Sequence, residues 1–211
     1  MAYGYLGQNT PNQTVNNSGV FSITDSADLE SQGALGGSLE LIEEQTFSGV
    51  SVVDFTSIQE NKYDVHFLEV INVDFSGGQS SLAIQFYESG VLETASVYQY
   101  AIQYGDSLGS FLESKSTGNN LIYINIANFG AASTDSGHTY VYLYNLGNSS
   151  KYSFLTEQGV LEDSGTMKMY FGGGVLPQAS TVDGIRLKES IGGRTFSGTA
   201  KLFGIKQIWV T

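Results

Sequence analysis

The residues whose types and spacing best suggest chemistry lie at Gly105-Asp106-Ser107-Leu108-Gly109. Two glycines around a serine are what a sharp turn needs to present a hydroxyl nucleophile, and an apparent strand precedes them. Some thirty residues on, Asp135-Ser136-Gly137-His138 spells Asp-x-x-His, an acid and a base of the types that could activate a serine brought within reach. Together the two blocks would describe acyl transfer, with Ser107 as nucleophile, His138 as base and Asp135 as its orienting acid. That chemistry requires the groups to meet at roughly 3 Å.

The letters match the elbow of α/β-hydrolases and the GDSL block of a serine esterase family. The context does not. Those esterases carry the serine near the start of the domain and Asp-x-x-His near its end, with an α/β/α layer fold between. Here both blocks lie in a strand-rich region without crossover helices. The Gly-Asn-Asp block of that family is missing too, since Gly118-Asn119-Asn120 continues to Leu121. In a Ser/Gly-rich loop, Asp135, Ser136 and His138 read as turn residues.

Other candidates thin out in the same way. Of two histidines, His66 sits in an alternating run on the side of Leu68 and Val70, where a hydrogen-bonded strand histidine is expected. No spacing supplies the three or four ligands of a zinc site. Glu43-Glu44 and Glu88/Glu93 resemble glycosidase carboxylates only as pairs, and read as solvated faces. Loops near Asp74, Asp135 and Asp163 offer oxygens for calcium without EF-hand spacing. Gly172-Gly173-Gly174 lacks the lysine of a phosphate loop and reads as a flexible turn. Asn12, Asn16 and Asn148 begin glycosylation-type triplets to which no role is assigned. Tyr98, Tyr100 and Tyr104 recur on one strand face, and Tyr140, Tyr142 and Tyr144 on another. They are open to three uses: packing within a sandwich, a subunit interface or sugar stacking. The expectation is therefore of no catalytic, cofactor-binding or metal-binding residue, and of no cofactor.

The elements around these residues are short β runs. Strands are expected over 39–47, 50–58, 63–73, 81–89, 96–104, 121–129, 140–146, 152–158, 166–171, 183–190 and 198–210. In 63–73 the alternation puts Tyr63, Val65, Phe67, Glu69, Ile71 and Val73 on one face. Asp64, His66, Leu68, Val70 and Asn72 fall on the other. Turn chemistry separates the runs at Ser76-Gly77-Gly78, Ser89-Gly90, Gly118-Asn119-Asn120, Gly147-Asn148 and Gly172-Gly173-Gly174. Strands so spaced predict an all-β fold, a jelly-roll-like two-sheet β-sandwich, over residues 38–211. Residues 1–37 are expected to form an extended N-terminal arm. Its stretch 7–19 is polar and uncharged, and Asp25 to Leu35 suits one or two helical turns.

Composition narrows the partners. Nine basic against twenty-one acidic residues leave a net charge of −12, which repels nucleic-acid phosphate. The absence of cysteine excludes disulfides and thiolate chemistry. No apolar run is long enough for a bilayer span, and the N-terminus lacks the features of a secretory signal. Charged residues make up only 14 %, against 26 glycines and 13 tyrosines, a profile of tight turns and large contact faces.

The opening GYLGQNTPNQTVNNSGVFSITD resembles a segment of virion proteins from tailed phages of marine cyanobacteria and related bacteria. DFTSI, YDVHFLEVINV, LAIQFYESG and DGIRLKES…SGTAKLFGIKQ continue the resemblance along nearly the whole chain. It implies a structural protein without a catalytic motif, displayed on a virion assembled in the host cytoplasm and released by lysis. A capsid decoration or knob protein is the leading expectation. A tail or tail-fibre-associated protein and a carbohydrate-binding, receptor-binding module are the alternatives. Expected partners are the major capsid protein or other virion proteins and further copies of the chain. Carbohydrate is possible; nucleic acid and membrane are not expected. The arm would anchor the chain to the particle while the sandwich faces outward.

Overall fold

The computed structural model describes residues 38–76, 80–125, 129 and 134–206. The chain divides into two units, Met1–Glu40 and Leu41–Thr211. The expected arm and its helical turns at Asp25 to Leu35 lie outside the described residues, as does the turn at Gly77-Gly78.

Thirteen strands run through the described residues. They are β1 (Leu39–Val50), β2 (Val52–Phe55), β3 (Val65–Ser76), β4 (Leu82–Glu88), β5 (Val91–Leu92), β6 (Tyr98–Asp106) and β7 (Phe111–Asn119). There follow β8 (Ile122–Tyr123), β9 (Gly137–Tyr144), β10 (Ser153–Asp163), β11 (Thr166–Leu176), β12 (Val182–Glu189) and β13 (Thr195–Ile205). Eight form one sheet in the order β1-β13-β3-β9-β10-β11-β6-β7. The other five form a smaller sheet, β2-β12-β4-β5, with β8 also on β4. The pairings are antiparallel, and the fold is the jelly-roll-like β-sandwich that the alternating runs predict.

Alternation builds the core. The inward residues of the large sheet, among them Leu68, Ile102, Val141, Tyr170, Phe196 and Leu202, meet Phe55, Ile84, Phe86 and Leu187 of the small one in a single buried cluster. Each fully buried aliphatic or aromatic side chain contributes about 1.5–3 kcal/mol by leaving water. Tyr98 adds a polar tie between the sheets. Its hydroxyl accepts the Phe86 N–H at 2.9 Å and donates to the Glu93 carbonyl at 3.1 Å. Burial pushes that phenol well above its ordinary pKa.

Four expectations are corrected. The glycine run 172–174 is no turn; it occupies the middle of β11, paired to β10 on one side and β6 on the other. Gly172 and Gly174 are glycines because the space is taken: a Cβ would lie 2.4 Å from the Ala101 carbonyl oxygen in one case and 2.4 Å from Ile122 in the other. Gly118-Asn119 likewise belongs to a strand, the end of β7. β7 itself is a strand that the alternation did not announce, because its outer and inner faces are both exposed or half-exposed. Conversely, the apolar run 121–129 yields only the two-residue strand β8 among its described residues. Finally, a bulge in β3 breaks the strict alternation: Val70 faces Thr139 but Val73 faces Gly137. Asn72 takes φ +53°, tolerable for asparagine, and Val73 and Phe75 thereby turn into the core.

Candidate functional site

Ser107 and His138 are not brought together. His138 stands opposite Val160, Val160 opposite Met169, and Met169 opposite Gly105. Three inter-strand steps put about 14 Å between the Cα atoms of His138 and Gly105. The GDSLG block is the β6–β7 hairpin instead. Asp106 accepts the Leu108 and Ser110 N–H groups at 2.9 Å each, and Gly109 takes φ +94°. The Ser110 N–H, chiefly, lowers the Asp106 pKa. Asp135 is buried and accepts the Ser164 N–H at 3.4 Å, while the His138 ring accepts the Asn72 N–H at 3.4 Å. These groups hold loops and a bulge.

The remaining candidates find similar places. His66 is buried; its Nε2–H donates to the Ile58 carbonyl at 2.8 Å, and burial depresses its pKa. Asp163 pairs with Lys168 at 2.5 Å. Asp74 lies on β3 opposite Ser197. Glu88 accepts the Ser180 hydroxyl, and Glu93 accepts the Ala95 N–H at 2.6 Å, so this pair serves local structure. Of the tyrosines, Tyr98 and Tyr100 pack inside the sandwich. Tyr140, Tyr142 and Tyr144 stand on the outer face of the large sheet, where β9 alternates between buried and exposed or half-exposed residues.

That outer face holds two distinct features. The first is a groove of about 1020 Å³ toward one end of the strands. Its floor is Gly173 opposite Ala101, and Thr156 stands on the other side of Gly173. Tyr144 and Phe154, directly opposite one another, rise on one side; Gln99, Lys115 and Thr117 border the other. Tyr144 stacks against Tyr142 with centroids 6.5 Å apart, and its hydroxyl lies 3.2 Å from that of Thr156. The wall is therefore held in position. Lys115 is paired with Glu113 at 2.6 Å.

The second feature lies toward the β6–β7 turn. Val160, Met169 and Phe111 share one cross-strand row through Gly105, and Phe171 stands on β11 beside Met169. The Ser107 N–H donates to the Met167 carbonyl at 2.9 Å, which brings the turn carrying Leu108 to the same corner. All six are exposed, Phe111 by 83 % and Leu108 by 79 %. These side chains form an exposed apolar patch at one corner of the sheet face. In TMKMYF the alternation sets Met167, Met169 and Phe171 on one face and Thr166, Lys168 and Tyr170 on the other, so period alone points to burial of the Met/Phe row. The structure turns Tyr170 inward instead and leaves that row outside.

One buried group was not foreseen. Glu157 points inward from β10, between Val141 and Gly172, and is only 4 % exposed. Neither carboxylate oxygen has a hydrogen-bond partner among the described residues, and desolvation pushes its pKa up to about 8. Comparisons with protein-family models, with curated proteins and with solved structures find no match for this chain.

Proposed function

We propose that this chain is a non-enzymatic structural protein of a phage particle, a capsid decoration or knob protein displayed on the particle surface. The observation that carries the reading is the exposed patch of Val160, Met167, Met169, Phe171, Phe111 and Leu108. Methionine and phenylalanine are enriched where subunits meet, and methionine adapts its shape to an uneven partner. Val160, Met167, Met169 and Phe171 of the patch lie on β10 and β11, which are paired on both sides, so docking on them buries side chains without opening the sheet. A net charge of −12 favours a partner face that is basic, as the surface of another particle subunit can be. The resemblance of the sequence to phage virion proteins supports the same reading.

Mass spectrometry of purified particles, quantified against the major shell subunit, tests it. A ratio near that of the shell subunit is the expected result. A few copies per particle would instead assign the chain to a tail, fibre or unique vertex. Absence from particles would overturn the structural role altogether.

A further inference from the structure

We propose that the groove on the outer face of the large sheet is a binding site for a neutral oligosaccharide, an inference that stands whether or not the chain belongs to a particle. Four observations converge. The floor is made of small residues paired on adjacent strands, Gly173 and Ala101, so the sheet surface lies low between the side chains on either side. A Cβ at Gly173 would meet the Leu155 carbonyl oxygen at 2.9 Å, which keeps the floor bare. The volume of about 1020 Å³ matches the upper end of small-ligand sites, which run to about 1,000 Å³. The wall formed by Tyr144 and Phe154 offers apolar ring surface, and Tyr144 is fixed by its stack on Tyr142 and its contact with Thr156. Opposite that wall the groove presents the amide of Gln99 and the hydroxyl of Thr117, neutral groups that both donate and accept hydrogen bonds.

Charge and backbone pairing select the occupant. The ammonium of Lys115 is taken by Glu113 at 2.6 Å, so the groove has no free cation among its described lining, and the chain as a whole carries −12. A polyanion is repelled. β10, β11 and β6 beneath the groove are paired on both sides. β7 at its border has an open edge, but a peptide joining that edge would extend the sheet beyond the groove rather than fill it. What fits is flat, uncharged and two-sided, with C–H faces for the aromatic wall and hydroxyls for the polar rim. A chain of neutral pyranoses has that character.

Isothermal titration of the full chain with neutral hexasaccharides (β-1,4-glucan, β-1,3-glucan, α-1,4-glucan, β-1,4-mannan and chitin oligomers) and with hexagalacturonate as the acidic probe tests this. The expected result is saturable binding of at least one neutral hexasaccharide with Kd below about 1 mM. Tyr144→Ala, which removes the wall, and Ala101→Gln, which fills the floor from an exposed position, should each weaken it about tenfold or more. Met169→Lys, outside the groove lining, should leave it unchanged. The unfolding transition of each variant shows that it is folded, and Ala101→Gln carries the test if Tyr144→Ala does not fold. Failure of every neutral probe to bind, preference for hexagalacturonate, or binding that survives Ala101→Gln would overturn the proposal.

Discussion

Glu157 is a carboxyl group in an apolar row, flanked by Val141 on one neighbouring strand and a glycine on the other. With no partner to compensate desolvation, it holds its proton up to about pH 8 in the fold, against an ordinary value of 4.5. Between those limits the native state binds one proton more than the unfolded chain, so this group lowers stability as pH rises from 4.5 to 8. At pH 7 the loss is about 3 kcal/mol. His66 acts in the opposite direction: its depressed pKa means that stability falls as pH drops below 6.5. Glu157→Gln should remove the alkaline slope, leaving a higher melting temperature than the parent at pH 8 and little difference at pH 4.5. Equal pH profiles for the two proteins would show that the carboxyl finds a partner or water in solution. Asn72 offers a second check at this scale. Its φ of +53° suits asparagine or glycine but not a β-branched residue. Asn72→Val should cost about 1–2 kcal/mol in urea unfolding, and Asn72→Gly close to nothing.

At the level of the element, β11 is the most constrained strand. Its three central glycines sit between β10 and β6, and two of them are held to glycine by atoms already within 2.4 Å of a would-be Cβ. Overpacking of this kind costs about 1–3 kcal/mol. Gly174→Ala should therefore shift the urea midpoint downward by that amount without changing the slope, whereas Gly165→Asn, in an open turn at φ +91°, should be tolerated far better. A midpoint unchanged by Gly174→Ala would mean that the small sheet shifts to make room. The β6–β7 hairpin is held by Asp106 rather than by burial, since both faces of β7 are largely open. It is the element where a tight local turn, more than packing, positions an apolar cluster.

For the molecule as a whole, the large sheet exceeds the small one by three strands, and its outer face carries both the groove and the apolar patch. The two adjoin at Phe171, whose row lies next to that of Gly173, while Met169 and Phe111 lie one row further along the strands. Assembly and ligand binding can therefore be perturbed separately. Met169→Lys combined with Phe111→Ser should lower the copy number per particle at least about tenfold while leaving the urea midpoint within about 0.5 kcal/mol of the parent, as surface changes do. Undiminished incorporation of this double variant would exclude the patch as the docking surface.

Several features were legible without coordinates. Period-two alternation specified the β class, most strand positions and the sharing of one face by His66, Leu68 and Val70, because a strand half-exposed to water has to sort its side chains by face. Asp135 was readable as a loop residue from its Ser/Gly-rich context, whereas His138, expected in a turn, stands on β9 opposite Val160. Other features depended on what lies across the sheet. A bulge at Asn72 moved Val73 from the face of Phe67, Glu69 and Ile71 to that of Leu68 and Val70 in the core, a choice made by the registers of β9 and β13 and not by the run itself. The glycines of β11 look like a turn in one dimension and become strand only because Ala101, Ile102 and Ile122 occupy the volume a side chain would need. The isolation of Glu157, the separation of Ser107 from His138 by three strand spacings, and the groove over Gly173 and Ala101 arise in the same way. Each is a relation between residues far apart in the chain. Local sequence sets which face a residue prefers, but only the pairing of distant strands sets its neighbours.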